Sequence, residues 1–144
     1  MILLPHGIIK VISSLYDKTI SRTKILEIVL SVGLEEKDLS IMVENFSSGM
    51  KQKLNFALML ILPPPVILLD EPFNALDYNT QKTFHHILKR LKNEGHTIIF
   101  TSHLIDTILD LADHLLLLNN STFLEERKTS GMSRKDLEDF VLHN

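Results

Sequence analysis

The spacing of apolar residues divides the chain into a helical first part and an alternating second part. Apolar positions at helical spacing precede Gly33, and a further helix is predicted from Ser48 to Leu62 because Pro63 to Pro65 must end it. After the prolines the pattern changes, because Val66 to Leu69 is an unbroken apolar run. Such a run is typical of a strand that is buried on both faces of a parallel sheet.

Strands and helices alternate in the second part. An amphipathic helix ending at Gly95 is followed by predicted strands at Thr97 to Thr101 and His114 to Leu118, and Ser133 and Asp136 form a capping-box pattern before a last helix. This alternation favours right-handed crossovers and a parallel α/β sheet. The predicted division is 1–62 helical, 63–124 α/β core half and 125–144 C-terminal helical tail.

Composition and charge exclude several classes of function. The 144 residues fit one ordinary domain, and a net charge of −3 provides no basic field for nucleic acid or an anionic membrane. The chain has no cysteine, so it has neither a disulfide framework nor a thiolate metal cluster. Its longest apolar runs are far shorter than the roughly 17–25 residues of a spanning helix. We therefore expect a cytoplasmic protein without a nucleic-acid partner.

Two acidic residues directly follow the first predicted strand. Asp70 and Glu71 lie at the strand end where ligands of open α/β sheets bind. This position predicts that Asp70 holds Mg²⁺, directly or through water, and that Glu71 accepts a proton from an attacking water. His103 follows the next strand at the same edge, where it can hydrogen-bond a γ-phosphate or that water. Solvated turn residues are the plain alternative for each of them taken alone.

A serine-rich turn precedes the third predicted helix. Ser47, Ser48 and Gly49 are small residues at a helix N-terminus, where unpaired amides and the helix dipole favour a phosphate. An ordinary helix cap is the alternative explanation, and Ala75-Leu76-Asp77 can likewise be an ordinary turn.

Together these pieces resemble the nucleotide-binding domain of ABC transporters. Phe46 to Lys53 resembles that family's signature motif, which is usually Leu-Ser-Gly-Gly-Gln followed by a basic-Gln-basic triplet. Val66 to Pro72 resembles the Walker B strand with its catalytic glutamate, Ala75 to Asp77 resembles the D-loop, and His103 resembles the switch histidine. The order and spacing agree through about 100 residues, so the joint match is far more specific than any part.

The sequence departs from the family pattern in two ways. Ser48 stands where the consensus has glycine and Met50 where it has glutamine, as in ATPases that drive drug, antibiotic or polysaccharide exporters. The sequence also lacks the loop G-x-x-x-x-G-K-S/T, whose amides and lysine cradle phosphates. By the resemblance, Met1 aligns just after the Q-loop glutamine. We therefore expect an incomplete domain that is inactive alone and exposes apolar strand faces and edges.

The resemblance implies an α/β fold that is part of a P-loop NTPase, with ATP and Mg²⁺ as cofactors. It implies that Glu71 and His103 are catalytic, that Asp70 contacts the metal, and that Ser47, Ser48, Gly49 and Asp77 bind nucleotide. The implied function is an ATP-hydrolysing subunit that powers export or import through a separate permease.

The implied partners are an ABC permease, a second nucleotide-binding domain in a dimer sandwich and a separately encoded N-terminal half. The implied location is the inner face of the cell membrane, reached through the permease. The main alternative is a non-catalytic remnant that docks on a permease or a partner ATPase half. A helicase-type or RecA-type ATPase is a further alternative, but it lacks the serine-rich helix start upstream of the acidic pair.

Overall fold

The first part of the chain is helical, and strands appear only after Pro65. A computed structural model of the protein describes residues 4–16, 19–119 and 122–142. The elements in chain order are α1 Pro5–Leu15, α2 Arg22–Ser31, the 3₁₀ turns Glu36–Ser40 and Val43–Asn45, α3 Ser48–Ile61, β1 Val66–Leu69, α4 Tyr78–Asn93, β2 Thr97–Phe100, α5 Ile105–Leu111, β3 His114–Asn119, β4 Thr122–Lys128 and α6 Arg134–Leu142. Among the described helices, none is long and apolar enough to cross a membrane.

Local side-chain chemistry determines where several helices begin. The Ser47 hydroxyl accepts a hydrogen bond from the Met50 amide at 3.2 Å and caps α3. The predicted capping box of α6 is confirmed, because Ser133 and Asp136 each accept from the other's backbone amide. Helix α1 begins at Pro5. Proline is tolerated at the first helical position because the amide hydrogen that it lacks would have no partner within the helix.

The described strands form two separate pairs. Strands β1 and β2 are parallel, with Val66 opposite Thr97 and Leu69 opposite Phe100. Strand β3 instead pairs with β4 in an antiparallel hairpin. The prediction that His114 to Leu118 belongs to the same parallel sheet is therefore wrong for the described residues. Two residues of sequence separate the end of β3 from the start of β4, and so short a connection permits antiparallel but not parallel pairing.

Strand β4 also crosses the predicted boundary between residues 124 and 125. The predicted helical tail therefore begins as a strand, and helix α6 starts only at Arg134. Charged residues of this segment pair within the hairpin, where Glu126 lies 2.6 Å from His114 and Glu125 lies 2.7 Å from Arg127. Pairing with an apolar partner strand thus outweighs the low strand propensity of these charged residues.

The main core joins the helices of the first part to the β1–β2 sheet. Phe56 of α3 stacks on Phe84 of α4 with ring centroids 3.6 Å apart, and both side chains are buried. A smaller core under the hairpin contains Ile108, Leu137 and Phe140. The hydrophobic core therefore fixes α3 against α4, and it places the start of α3 beside the segment between β1 and α4.

Only one face of the β1–β2 sheet is buried. Ile67 is 3% exposed and points into the main core, whereas the neighbouring Leu68 is 73% exposed. Val66 and Ile99 share the outer face and are about half exposed. The prediction that β1 is buried on both faces is wrong within the described residues, while the expected exposure of apolar strand surface is present. We call Val66, Leu68 and Ile99 the open face.

Because only one face of β1 is buried, truncating a residue on each face should change the free energy of unfolding by very different amounts. Ile67→Ala leaves a cavity in the main core and should lower the free energy of unfolding by about 2–5 kcal/mol. Leu68→Ala removes a mostly exposed side chain and should change it by less than about 0.5 kcal/mol. Urea denaturation of the two variants measures both values. Equal losses for the two variants would contradict the one-sided burial.

Candidate functional site

Two neighbouring strand ends bring the predicted acidic residues and the histidine together. Asp70 and Glu71 follow β1, and Thr101 and His103 follow β2, so the in-register parallel pairing places all four at one sheet edge. The His103 Nδ1 lies 3.1 Å from the Glu71 Oε1. The structure therefore brings Asp70, Glu71 and His103 to one edge, while their chemical roles stay predictions.

Thr101 is the member of this cluster that sequence reasoning missed. Its hydroxyl donates to the Asp70 Oδ1 at 2.6 Å and accepts from the Glu71 backbone amide at 2.9 Å. One side chain thus holds both acidic residues against β2. The available signal was its position, because the residue after Phe100 must lie opposite the residue after Leu69 in a parallel pair.

The sheet edge that carries Asp70, Glu71, Thr101 and His103, which we call the acidic edge, is open to solvent. The side chains of His103 and Glu71 are 65% and 35% exposed, and Asp70 is exposed as well. A side-chain contact this accessible contributes at most about 1 kcal/mol to stability, so it does little to hold the fold. The Glu71 carboxylate can accept a proton, and the His103 imidazole can donate or accept a hydrogen bond.

The donor set at this edge fits Mg²⁺ that is shared with a phosphate ligand. Within the described ranges, no group of three or more His, Cys, Asp or Glu side chains could enclose a metal ion. Mg²⁺ commonly uses one or two carboxylates together with substrate phosphates and water. Asp70, an exposed carboxylate that accepts a hydrogen bond from Thr101, is chemically suited to this mode of binding, and its role as a metal ligand stays a prediction.

The segment from Glu71 to Asp77 has an unusual backbone, and we call it the acidic loop. Glu71 and Ala75 have φ angles of 43° and 61°, in the left-handed region that non-glycine residues rarely occupy. Such conformations persist only when surrounding contacts impose them. Phe73 is buried in the middle of the loop, and the Gln81 side-chain amide donates to its carbonyl at 3.3 Å. The backbone that carries Glu71 is therefore held from inside the fold.

The serine-rich turn at the start of α3 lies against the acidic loop. A Cβ atom added to Gly49 would lie 3.1 Å from the Ala75 carbonyl oxygen, so this contact favours glycine. Ser47 and Ser48 are exposed, and the Ser47 hydroxyl is already used as the helix cap. The ordinary cap is thus confirmed, and phosphate binding by the neighbouring amides stays a prediction.

Asp77 caps the next helix, α4. Its carboxylate accepts hydrogen bonds from the Thr80 hydroxyl at 2.6 Å and from the Thr80 amide at 3.0 Å. These bonds, with a smaller effect from the Lys53 charge, hold the pKa of Asp77 below its ordinary value. Asp77 thus has a structural role within the chain, and its predicted contact with nucleotide stays a prediction.

Comparison with known proteins gives consistent matches. A family model described as "AAA domain, putative AbiEii toxin, Type IV TA system" matches residues 16–110. The ABC transporter ATP-binding protein YybJ of Bacillus subtilis is 41% identical over 112 residues, which are 78% of this chain and 50% of the relative. The lantibiotic transport ATP-binding protein SrtF of Streptococcus pyogenes is 35% identical over 112 residues, which are 78% of this chain and 48% of the relative.

A solved structure shares the fold. It is the dimeric structure of an ATP-binding cassette in a post-hydrolysis state bound to ADP and Pi, with a TM-score of 0.78 and 26% identity. The match covers 92% of this chain and 60% of that chain. The α/β fold predicted from sequence, part of a P-loop NTPase, is therefore confirmed. This chain spans about half the length of the two curated relatives.

The Asp77 cap predicts a pH-dependent contribution to stability. Because folding lowers the pKa of Asp77, its contribution is present above the unfolded value of about 4 and is lost as the pH falls through the folded value. Asp77→Ala should lower the Tm by a few degrees at pH 7, and the difference from wild type should shrink toward pH 3.

Thermal unfolding at several pH values measures this difference directly, because other acids titrate alike in both proteins. Asp77→Asn is the matched control, since asparagine keeps a cap acceptor without the charge. A gap between wild type and Asp77→Ala that stays constant from pH 7 to pH 3 would contradict the prediction.

Proposed function

This chain belongs to the family of ABC transporter ATP-binding proteins, and on that premise we propose that it supplies catalytic parts of an ATPase that powers transport through a separate permease. The observation that carries the proposal is the 3.1 Å contact between Glu71 and His103 beside Asp70. A proton acceptor, a hydrogen-bonding imidazole and a metal-binding carboxylate then lie at one exposed sheet edge.

Each residue at this edge has one chemical task in the proposed reaction. Asp70 would hold Mg²⁺ directly or through water, and the bound ion would supply positive charge to the phosphates of ATP. Glu71 accepts the proton of the water that attacks the γ-phosphorus. His103 contacts Glu71. Its proposed tasks are to orient the Glu71 carboxylate and to donate a hydrogen bond to a γ-phosphate oxygen. Thr101 keeps the two carboxylates in place through its hydroxyl.

The proposed site binds only part of ATP. Asp70, Glu71 and His103 surround the metal and the γ-phosphate, while no phosphate-cradling loop is present among the 144 residues. Two exposed carboxylates repel a polyphosphate unless a cation intervenes. The isolated chain is therefore proposed to bind ATP weakly and to hydrolyse none measurably.

Titration of the isolated chain with ATP and Mg²⁺ tests this expectation. We expect a dissociation constant weaker than about 1 mM, as measured by calorimetry or a fluorescent nucleotide. Phosphate release should equal that of the Glu71→Gln variant, which serves as the matched control because it removes only the base. Micromolar affinity together with hydrolysis that Glu71→Gln abolishes would show instead that the chain is active alone.

The serine-rich turn is proposed to act on a nucleotide held by another polypeptide. Ser47, Ser48 and Gly49 present a capped helix start at an exposed position, where free amides and the helix dipole attract an anion. The solved relative is a dimer with bound ADP and Pi. We therefore include a second nucleotide-binding domain among the proposed partners, with Asp77 in the loop that lies against this turn.

The open face is proposed to receive a separately encoded half that carries the phosphate-cradling loop. Leu68 on this face also lines a cavity of about 240 Å³ between α3 and the end of β1, together with Met59, Gln52 and Asp70. Exposed apolar strand residues and an adjoining cavity match what a covering layer of secondary structure would bury. The covering partner would lie directly beside the acidic edge.

Co-expression with an adjacent reading frame that encodes such a half tests the assembly. ATP hydrolysis should appear in the complex, and Glu71→Gln should reduce it by at least about a hundredfold. Leu68→Lys should block assembly, because it puts a charge on the open face without disturbing the buried core. Val141→Lys is the control, because Val141 is also exposed but lies on α6, outside the open face.

The co-expression experiment also distinguishes the proposed ATPase from the alternative, a non-catalytic docking module. An assembly that gains no ATPase activity, together with nucleotide-independent binding to a permease, would support a non-catalytic module that docks on partners. Exposed apolar residues on the outer surfaces of the first helices, Val11, Leu15 and Leu30, offer a surface for such docking. In either case the proposed location is the inner face of the cell membrane, reached through the permease.

A further inference from the structure

Thr101 and His103 hold Glu71 from β2, and a further contact holds the residue that follows it. Glu71 has a φ angle of 43°, and the Asn74 amide closes the following turn on the Glu71 carbonyl at 3.2 Å. Pro72 lies between them and is buried, but it has no amide hydrogen with which to anchor the turn. Its carbonyl oxygen is the group through which another element can hold this part of the backbone.

Gln52 makes that contact from the second turn of α3. Its Nε2 donates to the Pro72 carbonyl oxygen at 3.0 Å, across 20 residues of sequence, and the side chain is partly buried. Gly49 lies three residues earlier on the same helix face and touches Ala75 at the far end of the acidic loop. Helix α3 therefore contacts the loop at both ends, immediately after the serine-rich turn.

The Thr101 hydroxyl accepts from the Glu71 amide at the start of the loop, and other contacts hold its middle. Gln81 of α4 donates to the carbonyls of Phe73 and Leu76, each at 3.3 Å. The Phe73 ring lies edge-on to His85 and Phe100, with centroids 4.8 Å and 6.3 Å away. Among the described side chains, Gln52 is the one that hydrogen-bonds the carbonyl of the residue directly after Glu71.

We propose that Gln52 is a positioning residue, which holds Glu71 in its left-handed conformation and ties it to the helix start formed by Ser47, Ser48 and Gly49. The inference rests on the proposed function only in assigning Glu71 the role of base. Gln52 touches neither substrate nor metal, and it acts through the Pro72 carbonyl. A shift of α3 that follows phosphate contact at its N-terminus would then move the carbonyl next to the catalytic carboxylate.

The chemistry of the contact makes it possible to separate hydrogen bonding from packing. Methionine has a similar length and volume but no donor, and an ionised glutamate presents only acceptors to a carbonyl oxygen. Lysine regains a donor on a chain long enough to reach the same oxygen. If Gln52 acts through its hydrogen bond, Gln52→Met and Gln52→Glu should lose the effect and Gln52→Lys should restore it. If Gln52 acts by packing, Gln52→Met should behave most like wild type.

Amide hydrogen exchange of the isotope-labelled full chain, without nucleotide, measures the order of the loop. We expect exchange at the Asn74 and Glu71 amides to rise about threefold to tenfold in Gln52→Met and Gln52→Glu, and to return toward wild type in Gln52→Lys. The amide of Val29, in the core helix α2, should be unaffected. Asn55→Met is the matched control, because Asn55 is exposed one turn further along α3 and makes no hydrogen bond to the loop.

Three outcomes would overturn the proposal. They are an unchanged rate at both loop amides in Gln52→Met, an equal rise at Val29 that shows global destabilisation, and a failure of Gln52→Lys to restore protection. The experiment uses no ATP, so it decides the role of Gln52 even if the nucleotide titrations refute the ATPase function. Conversely, a failure here leaves the proposed tasks of Glu71 and His103 untouched.

Discussion

The parallel register of β1 and β2 is the constraint on which the candidate site depends. Side chains alternate between faces along a strand, so a slip of one residue would reverse which residues of β2 face the core and would move His103 away from Glu71. The register is specified because Ile67 and its neighbours on the inner face must meet the core. Thr101 then fixes the strand ends to each other, through Asp70 on one side and the Glu71 amide on the other.

The same two strands that create the acidic edge leave the chain with an apolar face toward solvent. A parallel pair is ordinarily covered on both sides, and here Leu68 lies outside while Ile67 lies inside. Burying the outer face in a partner would also lower the dielectric beside Asp70 and Glu71, which strengthens their interactions with a metal and with phosphate. Completion of the fold and completion of the proposed site are therefore expected to occur together.

Sequence reasoning succeeded where the deciding interactions are local. Prolines after Leu62 and a serine before Ser48 delimit α3, and the acidic pair after Leu69 locates the strand end. It failed where the answer depends on contacts distant in sequence. The outer face of β1 depends on what covers it, and the charged segment of β4 becomes a strand because β3 offers it a partner edge. Gln52 is part of a basic-Gln-basic triplet, and nothing in that triplet indicates that its amide reaches Pro72.

The proposed chemistry requires two unlike surfaces, and this chain contains both. The acidic edge attracts a cation and repels a bare phosphate, whereas the start of α3 attracts an anion through its amides and dipole. Neither surface alone holds a nucleotide, because the acidic edge attracts only the magnesium ion and the start of α3 attracts only the phosphates. In a symmetric pair of chains, however, the edge of one can face the helix start of the other. Since Gly49 and Gln52 of α3 pack against the acidic loop that begins at Glu71, contact at the helix start can influence the carboxylate of the same chain. The acidic loop therefore links two sites that would serve different nucleotides.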